Sequence, residues 1–240
     1  MLKYKKVIYQ WYNYVITRKY YLNEVREIEK EFLSEKAYRL IKNKVSVSND
    51  QHISIRKISK EFNIGYSPIR EACQRLHREG LLEGLAGVGY FIPQMEMKSI
   101  IEIFEVRKIL EKHVFKEIFD SLTDEHLTAL SDYTAKEIIS LKQKDIKGFH
   151  KYDKKYHMLF FEIYNNSVLL NLMKNVMDKY FICSYKTFNS IRKKGNVDAI
   201  EEHESIINYI KQKNKQKAVL ELTRHIRNSE ERIKKGYYHR

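Results

Sequence analysis

Cysteine is nearly missing from this chain: its 240 residues hold two, Cys73 and Cys183, far apart and in no CxxC pair. That excludes a disulfide framework and a cysteine-based zinc site, fits a cytoplasmic protein, and leaves both cysteines to read as core residues. Proline is as scarce, at Pro68 and Pro93 only, and four of the eight glycines (Gly80, Gly84, Gly87 and Gly89) fall within ten residues. Non-helical structure is thereby expected in one short stretch. No run approaches the roughly 20 apolar residues that cross a bilayer, so no membrane role is expected. Lys3, Lys5 and Lys6 precede an apolar stretch, but Gln10 and Asn13 interrupt it and Arg18 and Lys19 close it without a small-residue cleavage site, so no signal peptide is expected there. HExxH, a phosphate loop and a nucleophile elbow are absent too.

Positive charge is abundant. The formal charge is +14 with a pI near 9.5, while 43% of the residues are apolar, enough to bury one or two ordinary cores. Clustered lysine and arginine gain free energy by displacing counterions from phosphates, which makes a nucleic acid the natural partner. Composition alone also fits a lysine-rich protein with no such partner, so the motifs have to decide.

From Ser54 the chain runs SIRKISKEFNIGYSPIREACQRLHREGLLEGLAGVGYFIP. Ile55 and Ile58 make a short apolar stripe, Phe62 to Gly65 supply a break, and Ser67-Pro68 opens a second helix. On that helix Ile69, Ala72, Cys73 and Leu76 share an inward face, leaving Tyr66, Arg70, Gln74 and Arg78 toward solvent. Two short helices and a tight turn describe a helix-turn-helix. Gly87 and Gly89, which tolerate positive φ, then permit a hairpin whose return strand is Tyr90, Phe91 and Ile92. In this arrangement the second helix enters the major groove while the first helix and the hairpin wing touch phosphates, and Arg70 is placed to read a guanine edge.

The run from Ser34 through Pro93 resembles the winged helix of the GntR family, whose recognition helix opens Ser/Thr-Pro-x-Arg-Glu-Ala, with Leu and Glu-Gly-Leu following. Here those are Ser67 to Ala72, Leu76 and Glu79-Gly80-Leu81. The resemblance implies operator contacts by Arg56 and Arg70, by Ser67 on a phosphate and by the wing around Gly87, with Tyr66 and Gln74 beside them. Two departures stand out. Gly65-Tyr66 replaces the usual Ser-Arg pair, and Ala86 replaces a polar wing tip, which points to an operator unlike the family norm.

Beyond Met95 there is no proline, and apolar residues recur at three and four spacings, as in Ile100, Ile103, Phe104 and Leu110. Six helices are expected, over 97–119, 124–143, 146–164, 168–190, 197–211 and 215–234, broken near Thr123, Asp145, Asn166, Gly195 and Asn214. The fold class is therefore mainly α, a winged helix-turn-helix (33–94) before an all-helical bundle (95–240). Residues 1–32 read as a helical extension. Asp153 and His157 stand four apart on one helix and point from one face, a spacing that serves a surface hydrogen bond as well as a metal. His203 and His225 lie eleven residues to either side of Asn214. Folded back there, at a rise of about 1.5 Å per residue, the two imidazoles meet at one height. The four together suit zinc, nickel, manganese or iron, although histidines scattered on exposed faces fit the spacing as well.

Residues 97–235 resemble the FCD effector domain of FadR-type GntR regulators, where Asp-x-x-x-His and two later histidines about 22 apart bind a divalent metal. All four positions are filled here. The resemblance further implies Arg107, in Phe-Glu-Val-Arg-x-x-x-Glu (Phe104 to Glu111), and Asn166 as contacts for a small organic acid. Val114, Phe115, Ile118 and Phe119 are bulkier than the alanines common in the family. The two resemblances cover about 200 residues and imply a homodimeric, ligand-responsive repressor on double-stranded operator DNA, with a hinge at Pro93 to Glu96. A metal-dependent enzyme, or a regulator whose metal is structural or absent, are the alternatives.

Overall fold

The computed structural model describes residues 32–46, 50–94, 96–188 and 194–238. The helical extension expected over 1–32 lies outside the described residues except for Phe32, as does the side chain of Cys183. The chain divides into two compact units, with the division in sequence falling between Pro93 and Gln94.

Among the described residues the first unit opens with helix α1 (32–46), whose buried Ala37, Ile41 and Val45 recur at helical spacing. Strand β1 (His52–Ile53) leads to α2 (Ile55–Phe62), started by Ser54, whose hydroxyl accepts from Lys57 N at 3.3 Å. Asn63, in the left-handed region at φ 51°, stops α2 and turns the chain into α3 (Tyr66–Arg78). Pro68 sits in the first turn of α3, where a missing N–H costs nothing. Its inward face is Ile69, Ala72, Cys73 and Leu76, as the sequence predicts. Strands β2 (Glu83–Leu85) and β3 (Gly89–Phe91) form the hairpin, and Gly87 turns it at φ 76°. The sheet order is β1-β3-β2, so the return strand pairs on both sides. Strand β1 was not anticipated: it is two residues long and exists only through its pairing of His52 with Phe91 and Ile53 with Tyr90.

The second unit is helical: α4 (Met97–Ile118), a single 3-10 turn (Phe119–Ser121), α5 (Asp124–Lys142), α6 (Ile146–Tyr164), α7 (Ser167–Phe188), α8 (Lys194–Lys211) and α9 (Lys215–Tyr238). Val114, Phe115, Ile118 and Phe119, the bulky residues of α4 and the turn after it, belong to the main core with Phe160, Phe161, Leu222 and Ile226. Gly195, where a break is expected from the sequence, lies within α8. Helix α9 runs past the expected end at 234, because Ile233 and Tyr237 still pack on the core. Helix starts are set by caps: Thr123 and His126 form a capping box on α5, and Asn214 Oδ1 accepts from Lys217 N on α9.

Helix α6 carries two of the candidate ligands, and its start is unusually tight. Asp145 Oδ1 accepts from Gly148 N at 2.9 Å, and a Cβ added at Gly148 would lie 2.3 Å from Asp145 Oδ2 and 2.7 Å from Ser140 Oγ. Alanine normally stabilises a helix by about 1 kcal/mol over glycine. Here it must displace the cap, which costs about 1 to 2 kcal/mol. Gly148→Ala is therefore expected to lower the thermal midpoint instead of raising it, a sign that differential scanning calorimetry reads directly.

Candidate functional site

In the second unit, α6 turns its residues Phe149, His150, Asp153, Tyr156, His157 and Phe160 inward at spacings of three and four. Asp153 and His157 are thereby carried into the core. Helices α8 and α9 fold back around Asn214 and bring His203 and His225 to the same place. All three imidazoles are fully buried, and the four side chains each offer a ligand atom within 4.8 Å of every other. His225 Nε2 lies 3.1 Å from His157 Nε2 and 3.3 Å from His203 Nε2, and Asp153 Oδ1 lies 3.8 Å from His157 Nε2.

The opposite ring nitrogens explain that convergence. His203 Nδ1 lies 3.0 Å from Glu137 Oε2, His225 Nδ1 lies 2.8 Å from Glu202 Oε2, and His157 Nδ1 lies 2.6 Å from Glu111 Oε2, this last an ion-pair contact bent away from hydrogen-bond geometry. A carboxylate accepts only, so an imidazole bonded to one through Nδ1 carries a proton there and, when otherwise unprotonated, turns an Nε2 lone pair to the centre. With all three rings neutral, the lone pairs of His157 and His203, 3.1 and 3.3 Å from that of His225, repel it unless a cation stands among them. Ligand nitrogens at about 2.0–2.1 Å from a tetrahedral zinc are separated by about 3.3 Å. The donor set therefore fits a divalent ion in both chemistry and spacing.

The surrounding charges act on the centre in different directions. Burial would raise the Glu111 carboxyl, but Arg107 and His157 outweigh it and keep it at about 2. Burial opposes the Glu202 carboxylate in the same way, and its bonds with His225 and Arg232 bring it to about 2. Burial, assisted by the charge of His203, depresses His225 to about 3, so this imidazole is neutral at ordinary pH. For His203 burial acts downward, but the Glu137 carboxylate prevails and raises it. Tyr156 stacks on the His203 ring at 3.9 Å between centroids and donates its hydroxyl proton to the His203 carbonyl at 3.3 Å. The His203 ring cannot swing without losing that stack.

Arg107 is fully buried beside this centre, its Nε donating to Glu111 Oε1 at 2.7 Å and its guanidinium 4.3 Å from the Tyr180 ring. Its NH1 and NH2 have no hydrogen-bond partner among the described residues, nor does Asp153 Oδ2. Asn166, expected at the effector, is instead exposed, and its Oδ1 accepts from Val168 N and Leu169 N as the cap of α7. A short polar residue before a helix caps it first, and this one does not join the buried centre. Sequence reasoning missed Glu137 and Glu202 entirely, and it quoted Glu111 without a role. Their signal is weak because each glutamate matters only through a histidine on another helix.

In the first unit the outer faces of α2 and α3 present Arg56, Tyr66, Ser67, Arg70 and Gln74, all exposed, and Gly87 stands at the hairpin tip with open space around it. Other polar residues of the recognition helix are structural. Glu71 accepts from Ser34 Oγ at 2.6 Å and from Ser67 Oγ at 3.1 Å, fastening α1 to the start of α3. Arg75 lies 3.8 Å over the Tyr38 ring and pairs with Glu35 and Glu79.

Comparison with known proteins agrees with both halves. Residues 33–92 match the family model of the bacterial regulatory proteins, gntR family, and residues 102–228 match that of the FCD domain. The chain is 30% identical over 166 residues to the gluconate operon transcriptional repressor of Bacillus licheniformis, 68% of each chain. It is 28% identical over 196 residues to the HTH-type transcriptional regulator YdhC of Bacillus subtilis, 77% of this chain and 82% of that one. Among solved structures, Escherichia coli McbR/YncC superposes with a TM-score of 0.77 at 15% identity, covering 85% of this chain and 98% of the other, a likeness of fold. Among the described residues no helix is long and apolar enough to cross a membrane.

Proposed function

From the premise that this chain belongs to the GntR family of transcription regulators and carries an FCD domain, not an enzyme's active site, we propose that it is a metal-dependent, acid-responsive repressor. The observation that carries this reading is the buried centre of Asp153, His157, His203 and His225 with the unpartnered guanidinium nitrogens of Arg107 beside it. Four buried carboxylates, on Glu111, Glu137, Asp153 and Glu202, surround the imidazoles against two guanidinium groups, on Arg107 and Arg232. A cation at the centre offsets that excess of negative charge. The ion would be held by the three Nε2 atoms and Asp153, and it would supply an electrophilic anchor for an anionic ligand. Zinc, nickel, manganese and iron all accept such a set.

The effector is a small organic acid. Its carboxylate meets the free NH1 and NH2 of Arg107, a two-pronged donor suited to a planar anion, and the unpartnered Asp153 Oδ2 accepts a hydrogen bond from a donor on the same molecule. A relative named as the gluconate operon repressor agrees with a sensor of acids and with repression. The DNA face is the exposed set Arg56, Tyr66, Ser67, Arg70, Gln74 and the wing at Gly87, presented twice by a homodimer to the two half-sites of a palindrome. Effector binding that favours one state of the dimer shifts operator affinity by the difference in its binding energy to the two states.

The test is fluorescence anisotropy on a duplex selected from a random pool by the zinc-loaded protein, titrated with a panel of two- to six-carbon carboxylic and hydroxycarboxylic acids. At least one acid is expected to change operator affinity by about 5- to 150-fold. Arg107→Lys keeps the charge that balances Glu111 but loses the fork, so it should bind the duplex normally and respond weakly. A full panel without effect on wild type would refute the acid sensor.

A further inference from the structure

Three glutamates stand behind the three histidines, but they are not held alike. Glu111, behind His157, is gripped inside the core by Arg107 at 2.7 Å. Glu137, behind His203, has its Oε1 without a partner among the described residues. Glu202, behind His225, is gripped from outside: Arg232 NH1 donates to Oε1 at 3.1 Å, Arg232 NH2 donates to Oε2 at 3.0 Å, and Asn228 Nδ2 donates to Oε1 at 2.6 Å.

The place where each arrangement ends differs as well. Glu111, Glu137 and Arg107 are fully buried. Glu202, Asn228 and Arg232 line a groove of about 440 Å³ between α8 and α9. For a buried ion to leave, at least one ligand must swing away; His203 and His225 must first break the hydrogen bond at Nδ1, and His157 its ion-pair contact with Glu111. His203 is fixed additionally by the stacked Tyr156, and His157 by a wholly internal pair. His225 is the ligand whose support can yield at the surface without opening the core.

We propose that Arg232 is a positioning residue for the metal centre: acting through Glu202 on His225, it sets how fast the ion exchanges, and the α8–α9 groove is the side on which exchange occurs. The proposal rests on the metal reading above. A bidentate arginine with Asn228 as a third donor holds Glu202 in one orientation, and Glu202 holds the His225 ring with its Nε2 turned inward. Arg224 lines the same groove but pairs with Glu221, which supplies a control for groove charge alone.

The experiment loads full-length protein with Co²⁺, mixes it with excess chelator and follows loss of the cobalt absorption by stopped flow. Arg232→Gln is expected to release cobalt at least about tenfold faster than wild type, the scale set by residues that support a metal-binding histidine. It should also shift the visible band of bound Co²⁺, which a merely structural role would not do. Arg224→Gln should release at the wild-type rate with an unshifted band. Should Arg232→Gln fail to fold, Arg232→Lys and Asn228→Ala take its place, each with a smaller acceleration. Release at the wild-type rate in Arg232→Gln, or in both substitutes, would overturn the proposal, as would equal acceleration in Arg224→Gln. A wild-type protein that takes up no Co²⁺ refutes the metal reading itself, a different result from unchanged kinetics in a loaded protein.

Discussion

Purified without a histidine tag and reconstituted with a divalent ion, the wild-type protein should hold close to one ion per chain, and His203→Ala and His225→Ala should hold none. Each variant removes one of three Nε2 donors that lie within 3.3 Å of a neighbour, and it also strands a buried glutamate, Glu137 or Glu202, that was directed at the lost ring. Removing only the support of a metal-binding histidine costs roughly 10- to 100-fold in affinity. Removing the ligand should cost more. The ion also contributes to stability: at a free concentration 100-fold above Kd, binding to the folded state alone adds about 2.7 kcal/mol. For a chain of this size that corresponds to about 5 to 11 °C in thermal midpoint. Chelation should therefore lower the wild-type midpoint by that amount and leave the midpoints of both variants where they were. Elemental analysis and calorimetry give the two readouts. No uptake of zinc, nickel, manganese or iron by wild type would reduce the centre to a hydrogen-bonded histidine cluster, and the DNA-binding face would stand untouched.

The meeting of Asp153, His157, His203 and His225 was legible because helical arithmetic carries distance. Asp153 and His157 four apart must share a face, and His203 and His225 equidistant from Asn214 must come level if the helices fold back, as α8 and α9 do. The helices of the second unit were legible for the same reason, their ends being written in Thr123, Asp145, Asn166 and Asn214. Asn166 carries a simpler signal besides its likeness to an effector contact, that of a polar residue one step before a helix, and it caps α7. Glu137 and Glu202 were invisible because nothing in a sequence marks a glutamate on α5 or α8 as the partner of an imidazole across the bundle. Strand β1 escaped because two residues carry no period of their own. Local rules reach as far as one helix and its turn; the charges that tune the centre are set by packing.

Arg70→Ala should lose selection of the operator while leaving the fold intact. Arg70 is exposed on the outer face of α3, one turn from its start and beside the exposed Tyr66, Ser67 and Gln74. A two-pronged arginine contact with a guanine edge is worth about 1 to 3 kcal/mol, or about 5- to 150-fold in affinity for the chosen sequence. Because the side chain is exposed, stability should change by less than about 0.5 kcal/mol. Two other arginines separate the possible causes. Arg75, which bridges Glu35, Glu79 and the Tyr38 ring, should destabilise the first unit when replaced by alanine, and any loss of DNA binding there would track loss of fold. Arg56, exposed on α2, should weaken binding to all sequences alike and reduce the salt dependence by about one phosphate contact. Anisotropy against the selected duplex and a scrambled one, at two salt concentrations, distinguishes the three. If Arg70→Ala bound the selected duplex as tightly as wild type, or lost the scrambled duplex equally, α3 would still be a helix of the winged fold but Arg70 would not be its reader. The base-specific contact would then have to be sought in Tyr66 or Gln74, the residues beside it on the same exposed face.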